Sequence, residues 1–280
     1  MYNNVFNIDK NIINGVVKRY KEFNNIKSVM NYYKLSFNEV LAILDFKDVK
    51  VKKRDCFEYS INNNRLLIIS DTHIGSKKCN VNNLDIVYEY AKKYSINNII
   101  HAGDLLHSNR PGVLNKYMNP YNQVEYLLDI YPFDKYINNY ILFGNHDYHL
   151  LKDREDLYKN IDSRVDFNLL GYKRAYLAYL GYLISVYHSI DKYKMRLPNE
   201  DTIMSFCGHR HEFNIESKDK IMVPTLSNDL KDYGNFNFYP GFLELYMNNE
   251  SLNIILHNII DKKVVGMYRY EKKFNYKFKI

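Results

Sequence analysis

The chain has 280 residues, with 39 Lys and Arg against 32 Asp and Glu and a formal net charge of +7. Hydrophobic residues make up 46% and charged residues 25%, a composition that excludes wholesale disorder and supplies one large folded domain, or one with a small appendage. No apolar run approaches the roughly 18 residues that a membrane-spanning helix needs. The first residues lack a charged-then-apolar leader, and the three cysteines, Cys56, Cys79 and Cys207, stand apart. A cytoplasmic protein in a reducing compartment, with no membrane partner, is therefore expected.

Residues 1–55 carry eleven basic and six acidic side chains, residues 261–280 carry seven and two, and the middle is slightly acidic. Basic ends favour a polyanion such as nucleic acid, although a solvated surface is the ordinary reading of modest charge runs. Within 9–46, Ile12, Ile13, Val16, Val17 and Tyr20 recur at helical spacing, as do Ile26, Val29, Met30 and Tyr33. A third short helix holds Val40, Leu41 and Leu44, with Ser36 as its N-cap and Glu39 three residues on. Two short helices and a tight turn resemble a helix-turn-helix. The would-be reading helix has no Lys or Arg, so a packing or docking module is an equal alternative. Residues 47–55 read as a charged linker or edge strand. The expected division is 1–55 for this helical region and 56–280 for the main domain.

Beyond the linker, Leu66–Ile69 reads as a buried strand, Asp85–Tyr94 as a helix, Ile99–Ile100 as a second strand, 113–130 as a helix and Tyr140–Phe143 as a third strand. The alternation predicts a layered α/β sheet. After about residue 164 strands dominate, at 176–187, 203–207, 221–223, 242–247 and 252–256. The tail from Lys262 alternates aromatic and basic residues, as a last strand with a basic face or as a stacking arm for single strands.

Polar residues follow strand after strand: Ser70-Asp71-Thr72-His73-Ile74-Gly75, then Gly103-Asp104, Gly144-Asn145-His146-Asp147, His188, and Gly208-His209-Arg210-His211. Open α/β sheets bind ligands just beyond the carboxyl ends of their strands, so these five loops should converge. Carboxylates, an amide oxygen and imidazoles, with no thiolate, suit manganese, iron, zinc or nickel. Seven such groups suit two ions sharing one carboxylate.

These blocks, in this order over 71–211, resemble the calcineurin-like metallophosphoesterase superfamily. The resemblance implies a four-layer αββα sandwich of two mixed sheets. It implies that Asp71, His73 and His211 hold one divalent ion, that Asn145, His188 and His209 hold a second, and that Asp104 bridges them, manganese being the expected metal. Hydrolysis would proceed by in-line attack of a metal-bridging hydroxide, His146 would stabilise or protonate the leaving group, and Asp147 would orient its ring. The run Gly103-Asp104-Leu105-Leu106-His107-Ser108-Asn109-Arg110 lacks the Asp-Arg-Gly of the superfamily's protein phosphatases. It is similar to the nuclease subunit of the double-strand-break repair complex, which implies substrate contacts from His107 and Arg110. The DNA-capping and ATPase-docking parts of that family have no counterpart after His211, so a stand-alone relative acting on nucleic acid is expected. A phosphodiesterase or phosphatase for a small or cyclic nucleotide is the alternative within this chemistry. A DNA-binding or scaffold protein with structural metals is the alternative outside it. His101 is expected in the core or behind the site and His257 in a structural role. Cys79 is read as packing, and His149 has no assigned role.

Overall fold

The computed structural model describes residues 8–23, 26–35, 37–50, 59–108, 119–172, 174–188, 202–229, 239–248 and 251–273. Ser36, residues 51–58, Arg110 and the tail beyond Lys273 lie outside them, so the cap, most of the linker and the end of the basic tail are not placed.

Two mixed sheets form the centre. The first contains β2 (Arg65–Ile69), β3 (Asn98–Ala102), β4 (Asn138–Phe143) and β5 (Phe167–Tyr172), all parallel, and continues from β2 through antiparallel β11 (Gly241–Met247), β12 (Ser251–Ile260) and β13 (Lys263–Lys273). The second has the order β1 (Ser60–Ile61), β6 (Arg174–Tyr179), β7 (Tyr182–Tyr187), β8 (Thr202–Cys207), β10 (Lys220–Met222), β9 (Asn214–Ser217). The expected single strand over 176–187 is a hairpin: Leu180 and Gly181 both have positive φ (48° and 81°), the backbone of a two-residue primed turn. Two helices, α6 (Asn145–Leu151) and α7 (Glu155–Asp162), and strand β5 have no counterpart among the expected elements.

Alternation along the strands assigns the layers. Leu66, Ile68, Ile100 and Leu142 face Leu177, Ile184, Val186 and Phe206 across the gap between the sheets. Leu67, Ile69, Ile99 and Ile141 point the other way, to α4 (Val81–Lys93), α5 (Pro120–Ile130) and α7, through Leu84, Val87, Leu127 and Leu157. On the far face of the second sheet, Tyr176 and Leu183 are buried with Ile13, Val16, Tyr20, Val29, Val40 and Leu44. These residues come from α1 (Lys10–Phe23), α2 (Ile26–Tyr33) and α3 (Phe37–Phe46). The N-terminal helices are thus the fourth layer of an αββα sandwich. α3 is tied down by Asp45, paired with Arg174 at 3.2 Å where both side chains are largely buried. Of the two readings open for this helix, packing is the one its buried face and this ion pair serve. Among the described residues no helix is long and apolar enough to cross a membrane.

One polar cluster sits under the first sheet. Glu244 of β11 accepts from Arg65 Nε (2.8 Å), Tyr90 Oη (2.7 Å) and His257 Nε2 (2.9 Å), which gives His257 the structural role expected of it. Burial opposes charge on this carboxyl, but the three donors outweigh it and bring its pKa down to about 2 from 4.5. A carboxylate depressed in the folded state stabilises above its unfolded pKa, and that stability is lost as pH falls through the folded value. Glu244→Gln should therefore cost roughly 3 kcal/mol at pH 7. Its deficit relative to wild type should vanish between about pH 4.5 and pH 2, read by denaturant melts across that range.

Candidate metal centre

All five polar loops leave the carboxyl ends of strands: β2, β3 and β4 of the first sheet, β7 and β8 of the second. The loops after β2 and β3 stay in register, Asp71 N–H donating to Gly103 O (3.0 Å), His73 N–H to Asp104 O (3.1 Å) and His107 N–H to Ile74 O (2.9 Å). Across the sheets, Gly208 N–H donates to Tyr187 O (3.1 Å), which levels His188 with His209. The chain approaches itself closely here. A Cβ on Gly103, whose φ is +100°, would lie 2.3 Å from His188 Nδ1, and one on Gly144 would lie 2.2 Å from Asp104 Oδ1.

Among the described residues three groups have ligand atoms within 4.8 Å of one another: Asp71, His73 and His211, and Asp104, His188 and His209, which are the two ligand groups that the motif marks, and His73, His107 and His146. Asp71 Oδ1 lies 3.3 Å from His211 Nε2 and 3.7 Å from His73 Nε2. Asp104 Oδ2 lies 3.0 Å from His188 Nε2 and 3.9 Å from His73 Nε2, so this one oxygen faces both groups. Its partner Oδ1 accepts the His146 N–H at 2.8 Å. Asn145 opens α6 with its Oδ1 buried and without a hydrogen bond, and Asp71 Oδ1 and His188 Nε2, though they face His211 and Asp104 as ion-pair neighbours, are buried without a well-directed hydrogen bond. Buried polar atoms without hydrogen bonds are costly, and these three lie on the seven residues that the motif marks as ligands. The donor set therefore fits two divalent cations.

Electrostatics agree. Burial opposes charge on Asp71 and Asp104, but the imidazoles around them, His188 foremost, hold both well below the usual carboxylate range. Burial also opposes charge on His188, yet Asp104 and Asp71 carry it up to about 10. His73 and His107 go down, to about 3 and about 4, chiefly through burial. Five of the seven groups, Asp71, His73, Asp104, His209 and His211, sit at positive φ (47° to 80°) on non-glycine residues. Each such residue costs on the order of 1 kcal/mol or more, a concentration of strain that points to function.

Supporting contacts fix the rings. His188 Nδ1 lies 2.7 Å from Ala102 O and His211 Nδ1 lies 2.8 Å from Asp229 O. Thr225 Oγ donates to Asp71 O (2.8 Å), Ser70 Oγ to Asp71 Oδ2 (2.5 Å), and His101, buried on β3, meets Thr72 Oγ at 3.0 Å. The segment 225–229 carries no motif, and sequence reasoning missed it. Asp147 departs from its expected role. Its carboxylate accepts the main-chain N–H groups of Leu106 (2.6 Å), Gly144 (2.7 Å) and Leu105 (3.1 Å), so it staples the Asp104 loop to α6. Orientation of the His146 ring falls instead to Ser108 N–H, 3.2 Å from Nδ1. His107 lies beside this ring, stacked at 5.1 Å. Arg110 is outside the described residues. Cys79 packs against the helix-side core, and His149 sits half-buried on α6.

Comparison with known proteins decides the family. The calcineurin-like phosphoesterase superfamily domain matches residues 65–257, about two thirds of the chain. The protein belongs to that superfamily. A sequence search of curated proteins returns no match. Solved structures match at low identity. Yfce, a phosphoesterase from E. coli, is 16% identical over 75% of this chain and 100% of its own, with a TM-score of 0.47. Zinc-complexed Vps29 from Entamoeba histolytica is 12% identical over 74% and 98%, with a TM-score of 0.44. The nuclease MPE of Pseudomonas putida is 14% identical over 72% and 87%, with a TM-score of 0.35.

Gly103→Ala should test the close packing of the centre. It should lower stability by roughly 2 kcal/mol or more, since φ and space both oppose a side chain, and reduce the bound metal below that of wild type, read by thermal melts and by elemental analysis after dialysis.

Proposed function

We propose that this member of the superfamily is a two-metal phosphodiesterase that cleaves nucleic acid, with manganese as its working ion. The observation that carries the reading is Asp104 Oδ2 facing both ligand groups, 3.0 Å from His188 Nε2 and 3.9 Å from His73 Nε2. In it, Asp71, His73 and His211 hold one ion, Asn145, His188 and His209 the other, and Asp104 both. When bound, such a pair supplies an activated water and offsets charge developing on the phosphoryl group.

His146 has its Nδ1 facing Ser108 N–H, so its own proton belongs on Nε2, where it can hold a hydrogen bond to a phosphoryl or leaving oxygen. Among the described residues, Arg210 lies 3.3 Å from Glu216 and Lys78 pairs with Asp229, so these two cations beside the ligand loops have acidic partners. Exposed Lys10, Lys18 and Lys21 on α1, and Lys263, Arg269 and Lys273 on β13, supply attraction for a polyanion. The likeness of the 103–110 run to the repair nuclease subunit supports the same substrate, with Arg110 as a phosphate contact.

A substrate panel with manganese, covering single- and double-stranded DNA and RNA, cyclic nucleotides and a phosphopeptide, tests this directly. Turnover should be found on nucleic acid and should fall steeply with ionic strength. His146→Ala should lower turnover about 10²- to 10⁴-fold with metal content unchanged. Turnover confined to a cyclic nucleotide, insensitive to salt, would transfer the site to a small ester. Metal-replete protein inert on every substrate would refute the enzyme.

A further inference from the structure

Three ligand imidazoles present Nε2 to the metal cradle, and each has its other nitrogen tied. His188 Nδ1 meets a main-chain carbonyl, Ala102 O, at 2.7 Å, and His211 Nδ1 meets another, Asp229 O, at 2.8 Å. His73 differs, because its Nδ1 lies 3.2 Å from the Nδ1 of His107, another imidazole. His73 Nε2 is the atom turned to His211 (3.1 Å), Asp71 (3.7 Å) and Asp104 (3.9 Å). We infer that His107 is a positioning residue of the metal centre, taking for His73 the place that a backbone carbonyl takes for His188 and His211, and thereby setting the affinity of the Asp71–His73–His211 position. The inference rests on the two-metal reading above and concerns the free protein, before any substrate arrives.

Proton counting gives the contact its sense. A ligand imidazole offers the Nε2 lone pair to the metal, so the His73 proton must sit on Nδ1. Two ring nitrogens at this distance share one proton. His107 Nδ1 is therefore the acceptor and the His107 proton sits on Nε2, a buried atom with no partner among the described residues. Acceptance fixes both the tautomer and the plane of the His73 ring. The backbone leaves His107 little choice of place. Its N–H donates to Ile74 O at 2.9 Å, one residue beyond His73, and Ile74 bridges Leu106. Its ring is edge-on to His73 at 5.2 Å and stacked on His146 at 5.1 Å, with 6% of the residue exposed.

Three substitutions separate this role from a contact made only with substrate. In His107→Asn the side-chain oxygen reaches the Nδ1 position and can accept. In His107→Gln the polar end lies at the Nε2 position, and His107→Phe keeps the ring and removes both nitrogens. Manganese titrations of the full chain without substrate, followed by the paramagnetic resonance of the free ion, read the affinity of each position. Wild type should take up two equivalents. The Phe and Gln variants should lose about 10- to 100-fold in affinity at one position and keep the other, whereas the Asn variant should stay within a few-fold of wild type. Circular dichroism and melts of metal-free protein identify any variant that has not folded, and the remaining variants decide. Unchanged affinities in the Phe and Gln variants would overturn the inference, as would an Asn variant as weak as they are. A third equivalent in wild type that disappears in these variants would also overturn it, since His73, His107 and His146 would then be holding an ion themselves. Wild-type protein that takes up no manganese would overturn the two-metal reading itself, and this inference with it.

Discussion

Asp104 joins the two sheets electrostatically. It sits just past β3 of the first sheet, and its Oδ2 reaches His188, just past β7 of the second, at 3.0 Å while also facing His73 at 3.9 Å. Everything about the site depends on holding that carboxylate where both ligand groups can share it. The other oxygen is held by His146 N–H, the loop behind it by Asp147, and the approach of His188 by the missing side chain at Gly103. A carboxylate buried to this degree is tolerable only among opposite charges or metal ions, and the imidazoles of His188 and His73 hold its pKa low.

The organisation of the centre has a cost that the rest of the fold meets. Left-handed backbone at Asp71, His73, Asp104, His209 and His211 and buried atoms without hydrogen bonds at Asp71, Asn145 and His188 would each destabilise an ordinary loop. The surrounding strands carry apolar side chains on both faces, with Leu66, Leu67, Ile68 and Ile69 all fully buried, and fix the ends from which these loops spring. Strain is located where the chemistry is, and regularity where it is not, as expected of loops mounted on a rigid parallel sheet.

Much of this was legible in the sequence for identifiable reasons. Apolar runs such as Leu66–Ile69 cannot be solvated, so they mark β2; the polar residues placed directly after them cannot belong to a core, so they mark the site. The five loops follow from that contrast, and the seven ligand candidates within them follow from the resemblance to the superfamily. What stayed hidden has no local signature. Asp147 looks like a partner for its neighbour His146, yet three main-chain N–H groups compete for it and win. Thr225 and Asp229 act through positions created only when β10 lies beside β8. The turn at Leu180-Gly181 is carried by one glycine inside an otherwise continuous apolar pattern. The family-level expectation of a calcineurin-like sandwich agrees with the observed layers and with the domain match at residues 65–257.

The helical cover over Tyr176 and Leu183 has a bearing on how this chain can be handled and how it can vary. Because α1, α2 and α3 shield one wall of the sandwich, cutting near the charged stretch at 47–55 would not liberate a self-sufficient core. It would bare a greasy wall and strand Arg174 without Asp45. A shortened form would have to hide that wall against a neighbour, a chaperone or itself. In this chain the amino-terminal segment is as much a part of the building as the strands that bear the site.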